Sequence, residues 1–204
     1  KEKREAGQFT ALRVSSGIDV YLTQGDRESI EVEADENLHE YILTDIRNGV
    51  LHVYTEVNIR EAEEKRVYVT MKDIESLSTS SAGDIIGQTP VKSDRLELSV
   101  SSAGDIKLEI QVKEIKAGVS SSGDVTLTGE ADMLFANLSS AGDLNAYGLV
   151  AREADVSASS AGDADINVTE KLRARSSSAG DINYRGNPKY IDAHSSSAGS
   201  VNRK

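Results

Sequence analysis

Six aspartates occupy one place in a repeat: Asp84, Asp105, Asp124, Asp143, Asp163 and Asp181 each close the pentapeptide Ser-Ser-Ala-Gly-Asp or its variant Ser-Ser-Ser-Gly-Asp. A further copy, Ser196-Ser197-Ala198-Gly199-Ser200, ends in serine instead. Carboxylates at a fixed spacing suit hard cations such as Ca²⁺, and they accept hydrogen bonds from glycan hydroxyls or from the donors of a protein partner. The same copies carry a column of second serines, Ser81, Ser102, Ser121, Ser140, Ser160, Ser178 and Ser197. Hydroxyls with no accompanying base are not nucleophiles. The histidines His39, His52 and His194 lack metal-ligand spacing. No nucleophile elbow, phosphate-binding glycine loop or zinc-protease helix is present. A non-enzymatic chain is therefore expected, with the aspartate column as its candidate ligand or cation ladder and with no firm metal site or other cofactor.

The elements that must position this column follow from the repeat itself, since a period of about twenty residues signals stacked units. The repeat glycines stand at 83, 104, 123, 142, 162, 180 and 199, so successive differences are 21, 19, 19, 20, 18 and 19 residues. Between the copies apolar residues alternate with period two, the strand signature. Leu96, Leu98 and Val100 lead into one copy, Ile115, Ala117 and Val119 into the next, Leu134, Ala136 and Leu138 into the one after. Continuing that parity places the second serine of each copy inward, as a stacked column of core hydroxyls. Ile85, Ile106, Val125, Leu144, Ala164, Ile182 and Val201 restart the inward pattern after each copy. Gly-Asp between the two strands then reads as the corner, with glycine supplying a positive φ and aspartate bonding a nearby amide. A second corner is expected near Gly87, Gly129, Gly148 and Gly186-Asn187-Pro188, where coil lengths change. Like segments recurring at one coil length stack in parallel, about 4.8 Å apart. The chain is read as all-β, a right-handed parallel β-helix with 18–21 residues per coil. One glycine per coil and unequal lengths argue against a left-handed hexapeptide solenoid.

Residues 1–79 lack the regular repeat and are read as an irregular β cap continuing into coils 80–204, within a single structural domain. Ser15-Ser16-Gly17-Ile18-Asp19 looks like a degenerate copy with one residue inserted between glycine and aspartate. Asn48-Gly49, between Tyr41-Ile42-Leu43 and Val50-Leu51-His52-Val53-Tyr54, is a two-residue hairpin signal. Such a cap covers the open row of backbone groups at the end of a solenoid. At the other end Asn202-Arg203-Lys204 adds charge to a last partial coil.

Hydrophobic residues make up 38% and aromatic residues 4% of the 204, so the core must be narrow and built of small and β-branched side chains. The formal net charge of −11 argues against nucleic acid and anionic membrane surfaces as partners. Cysteine is absent, which removes disulfides and thiolate metal sites. No apolar run approaches the roughly 18 residues that span a bilayer. A chain that starts at Lys1 and not Met is what removal of a leader peptide would leave, and equally what a boundary drawn inside a longer sequence would leave.

With Gly17-Ile18-Asp19-Val20-Tyr21-Leu22-Thr23-Gln24-Gly25, then Asn48-Gly49-Val50-Leu51 and the Ser-Ser-Ala-Gly-Asp coils, the sequence resembles the auto-transporter adhesin head GIN domain family. The family's Gly-Ile-Asn becomes Gly17-Ile18-Asp19 here. The resemblance implies a right-handed β-helix, a place in the periplasm, outer membrane or cell surface of a bacterium such as a member of the Bacteroidetes, and adhesion to a glycan or surface protein. It brings no catalytic residues. A carbohydrate-active enzyme on a β-helix, the competing class, needs carboxylates in a cleft of long loops, and the segments between these copies are short. A structural spacer is the third reading.

Overall fold

The computed structural model of the chain describes residues 1–57 and 65–204 and shows an all-β solenoid of about seven turns. The first strands in chain order are β1 (Glu2–Arg4), β2 (Ala11–Val14), β3 (Asp19–Gln24), β4 (Ser29–Ala34), β5 (Ile42–Arg47), β6 (Val50–Thr55), β7 (Lys65–Met71), β8 (Ser76–Thr79) and β9 (Asp84–Gly87). The rest are β10 (Val91–Val100), β11 (Asp105–Val119), β12 (Asp124–Leu138), β13 (Asp143–Ala158), β14 (Asp163–Ser176), β15 (Asp181–Arg185), β16 (Tyr190–Ser195) and β17 (Ser200–Arg203). β11 to β14 each run from one pentapeptide to the next and pair in parallel with like on like, as in Asp105 on Asp124, Ile106 on Val125 and Val119 on Leu138.

The core follows the alternation read from the sequence. In β11 the buried residues are Ile106, Leu108, Ile110 and Val112, then Ile115, Ala117 and Val119. The parity slips by one at Lys113-Glu114, and β12 slips at the equivalent Asp132-Met133. Coil lengths change where expected, with register shifts at Thr126/Thr128 and Ala146/Val150. Gly129 beside them has φ +106°. A Cβ there would overlap the carbonyl oxygen of Ile110 in the coil before, so side chain and conformation both exclude other residues.

The tight corner differs from expectation in two ways. The positive φ belongs to the second and third residues of the pentapeptide, Ser102 at +53° and Ala103 at +58°, and the glycine that follows is not left-handed. Gly104 N–H donates to Ser101 C=O at 3.2 Å, closing a turn of the type I′ pattern, usually the place of Asn-Gly. Two left-handed residues reverse the chain, so strand parity cannot be counted across them. Val100 and Gly104 face inward and are buried, whereas Ser81, Ser102, Ser121, Ser140, Ser160, Ser178 and Ser197 are exposed. The inward serine column is thus an outward one. Glycine is required for closeness: a Cβ on Gly104 would stand 2.5 Å from Thr79 Oγ1 and 3.0 Å from Gly83 O.

Each left-handed alanine or serine costs about 1–2 kcal/mol. The stack offsets this with a hydrogen bond at every junction. Ala82 N–H donates to Ser102 C=O at 3.0 Å, and Ala103, Ser122, Ala141, Ala161 and Ala179 repeat the bond one coil on, each at 3.1 Å. Each such bond contributes about 1 kcal/mol net and pairs the amide of the second left-handed residue with the next coil.

The degenerate copy joins the same stack without an insertion. Ser16 and Gly17 are its left-handed pair at φ +65° and +61°, Gly17 N–H donates to Ser81 C=O at 2.9 Å, and Asp19 lies opposite Asp84. Ile18 takes the inward place of the glycine and is fully buried. Stacking order departs from chain order here. β6 and β7 lie outside β2 and β3, which in turn contact β8 and β9. Antiparallel strands then cover that end: β4 on β7, β1 on β4, and β5 on β6 through the Asn48-Gly49 turn. At the opposite end β16 is exposed along its length.

Two substitutions test the corner. Gly142→Ala is expected to destabilise by about 1–3 kcal/mol through overlap with the Val119 carbonyl. Ala141→Gly, one residue away at φ +56°, should stabilise by about 0.5–1 kcal/mol in urea unfolding. The Thr79 hydroxyl is buried without a hydrogen-bond partner, between Val14 and Val100 in register. Thr79→Val should therefore raise stability by about 1 kcal/mol in the same experiment.

Candidate functional site

The aspartates form one continuous outward column, and it is longer than the repeat suggested. Asp19, Asp84, Asp105, Asp124, Asp143, Asp163 and Asp181 occupy successive register positions, followed by Ser200. Arg66 takes the position before Asp19. Ser200 Oγ donates to Asp181 Oδ1 at 2.7 Å. Asp105, Asp124, Asp143 and Asp163 are exposed, and the exposed second serines and the third residue of each turn flank them as a ridge. Asp19 escaped the sequence reading because Gly17 and Ile18 disguise the pentapeptide. Its constant length, Ser15 to Asp19, was the available signal.

The column is electrostatically unfavourable. Burial first, then the Asp105 and Asp19 carboxylates, push Asp84 up to about 6. Asp105 is raised by burial and by Asp124, and Asp143 by burial and by Asp124 and Asp163. The backbone amide one coil on, that of Asp105 for Asp84, works weakly against the rise.

Other outward columns alternate in sign. On the second side Asp94, Lys113, Asp132, Arg152 and Glu170 succeed one another: Lys113 lies 2.7 Å from Asp94, and Arg152 lies 3.4 Å from Asp132 and 3.2 Å from Glu170. On the third side Asp155, Arg173 and Asp192 are in register, with Arg173 3.5 Å from each carboxylate. Each exposed pair contributes about 0–1 kcal/mol. Their pattern nonetheless marks the aspartate column as the place where like charges are stacked without alternation.

Beside Asp163 a second outward column carries Asn145, Asp165, Asn183 and Asn202. Asn183 Nδ2 donates to Asp165 Oδ1 at 2.9 Å, and the Arg185 guanidinium lies 3.9 Å from the Tyr147 ring centre. The histidines are not brought together. His39 lies 3.4 Å from Glu2 and His194 3.0 Å from Asp192, while His52 is pushed down by burial and then by Arg13 and Arg47. Among the described residues no three His, Asp or Glu side chains converge as a metal site, and no helix is long and apolar enough to cross a membrane.

Residues 8–188, with the six aspartate-bearing pentapeptide corners among them, match the family described as "putative auto-transporter adhesin, head GIN domain". The chain belongs to this head GIN family. Solved structures share its fold over nearly their whole length. A putative adhesin from Bacteroides fragilis superposes with a TM-score of 0.93 at 18% identity, covering 100% of this chain and 95% of that one. A putative lipid binding protein from Parabacteroides distasonis gives 0.81 at 22% identity, and a putative adhesin from Parabacteroides merdae 0.80 at 23%, each covering 100% of this chain and 95% of the other. No curated protein matches the chain.

The raised aspartates of this head GIN chain favour the folded state as pH falls. A carboxyl with a folded pKa above its unfolded value binds a proton more tightly when folded, so its unfavourable contribution is present above about 6 and fades as pH falls toward 4. Carboxylates held low by hydrogen bonds and cations, such as Asp94 and Asp192, lose their contribution only below that window. Lowered His52 works the other way over the same range, losing stability as pH falls below about 6.5. Asp84→Asn should therefore shift the change in thermal midpoint between pH 7 and pH 5 downward relative to the parent chain, by removing one aspartate contribution and leaving that of His52.

Proposed function

We propose that this chain is a non-enzymatic binding module of a bacterial envelope or cell surface, which engages a glycan or protein partner through the outward aspartate and serine ridge. Membership in an adhesin family supports adhesion at the coarse level. The observation that carries the reading is Ser200. Its copy makes the same turn, with Ser197 and Ala198 at φ +49° and +63° and Gly199 N–H donating to Ser196 C=O at 2.9 Å. The corner therefore forms without aspartate, and the turn does not require a column of like charges. Exposed carboxylates flanked by hydroxyls accept and donate hydrogen bonds at a repeat near 4.8 Å. That is a surface for partner hydroxyls or ammonium groups. Calcium would bridge neighbouring coils, two carboxylates at a time, with water completing its shell.

The double substitution Asp105→Asn/Asp124→Asn tests this. Removing like charges that repel by roughly 1 kcal/mol per neighbouring pair should raise the thermal midpoint at pH 7 by a few degrees. Saturable retention on a glycan array or on immobilised surface proteins should weaken. Millimolar calcium should raise the midpoint of the parent chain more than that of the variant, and indifference to calcium would remove the cation from the reading. Release of shortened sugars would overturn the non-enzymatic assignment, and uniform inertness toward glycans and proteins would leave only a spacer.

A further inference from the structure

We infer that the third side of the solenoid, away from the aspartate ridge, carries a subsite for a neutral pyranose ring, built on Phe135 and the space above Gly118. The inference rests on the reading of the chain as a binding module and assigns one place and one ligand class to it. The chain has two phenylalanines. Phe9 is core, 2% exposed, whereas Phe135 points outward and is half-buried in a charged column. In register that column runs Glu97, Lys116, Phe135, Asp155, Arg173, Asp192, so the ring stands where the charge pattern of this side is interrupted.

The neighbouring outward column places Ser99, Gly118 and Asn137 in consecutive coils. Gly118 is exposed, has no positive φ, and a Cβ on it would meet only Leu98 O, at 3.9 Å. Neither conformation nor packing requires glycine there, and glycine weakens a strand interior. What its absent side chain does is leave unobstructed the stretch beside Phe135 in an open outward cleft of about 700 Å³, which Glu97, Ser99, Lys116 and Asn137 also line.

A half-buried ring at the side of an open, polar cleft matches the two faces of a sugar. The axial C–H groups of a pyranose are apolar and slightly positive, and they settle on the negative face of an aromatic ring. Its equatorial hydroxyls both donate and accept, which the carboxylate of Glu97, the amide of Asn137 and the hydroxyl of Ser99 can answer. The strands here are paired on both sides, so no backbone edge is free for an extended peptide.

The full chain is titrated by calorimetry and saturation-transfer NMR with tetrasaccharides of β-1,4-glucose, β-1,3-glucose, β-1,4-mannose and β-1,4-galactose. At least one should bind, with its ring protons saturated from aromatic resonances. Phe135→Ala should weaken it by tenfold or more. Gly118→Thr, which puts a good strand former's side chain into the cleft beside Phe135, should weaken binding by tenfold or more while leaving the thermal midpoint equal or higher, an outcome that a purely structural glycine would not produce. Sugar binding that survives both substitutions but falls in Asp105→Asn/Asp124→Asn overturns this subsite and leaves the binding module standing on its ridge. Absence of binding to all four sugars also overturns it, and retention of a protein partner would then decide the broader reading separately.

Discussion

The rest of the structure depends on backbone approaching backbone at one corner. Where the pentapeptide glycine of one coil passes over the coil below, a Cβ on Gly180 would lie 2.7 Å from the carbonyl carbon of Ala158. Glycine at that place lets successive coils close to strand spacing while the chain reverses direction. The reversal uses two left-handed non-glycine residues, a conformation that an isolated turn would rarely hold. It is held here because each turn is hydrogen-bonded to the next through the amide of its second left-handed residue. Strain at a single corner is local, while the ladder that offsets it is shared by the stack. This is the nearest-neighbour logic of repeat proteins.

That constraint also explains why the exterior is more informative than the interior. The inward residues after each turn vary freely among aliphatics, Ile106, Val125, Leu144, Ala164 and Ile182, because a narrow core needs only volume and apolarity. Outside, register turns each surface position into a column, so a residue type is presented as an array. Columns of alternating sign neutralise themselves, as with Asp94, Lys113, Asp132 and Arg152. The aspartate column accumulates charge: burial first, and neighbouring carboxylates second, raise the proton affinity of Asp84, Asp105 and Asp143.

The two ends of the molecule are unlike. At the N-terminal end the antiparallel strands β4, β1 and β5 cover the first coil, and chain order is sacrificed for this: β6 and β7 slide in outside β2 and β3. At the other end the last coil leaves Tyr190 72% exposed and Ile191 50% exposed. Parallel stacking can continue only where a strand edge is left free.

By itself the sequence determined the all-β solenoid, its coil length, the alternation that builds the core, the hairpin at Asn48-Gly49 and the alignment of six aspartates, because a repeat with period-two alternation has one economical way to bury itself. Only the tertiary structure decided which way the second serines point, since left-handed residues break the parity on which counting relies. It alone placed Asp19 in the column, because register between coils, and not local motif identity, makes it a member. It alone showed that the stack begins with β6 and β7, since parallel pairing is non-local and any of the early strands could have occupied that place. The opening above Gly118 likewise exists only when three coils are laid side by side, where a missing side chain in one becomes a space bounded by the others.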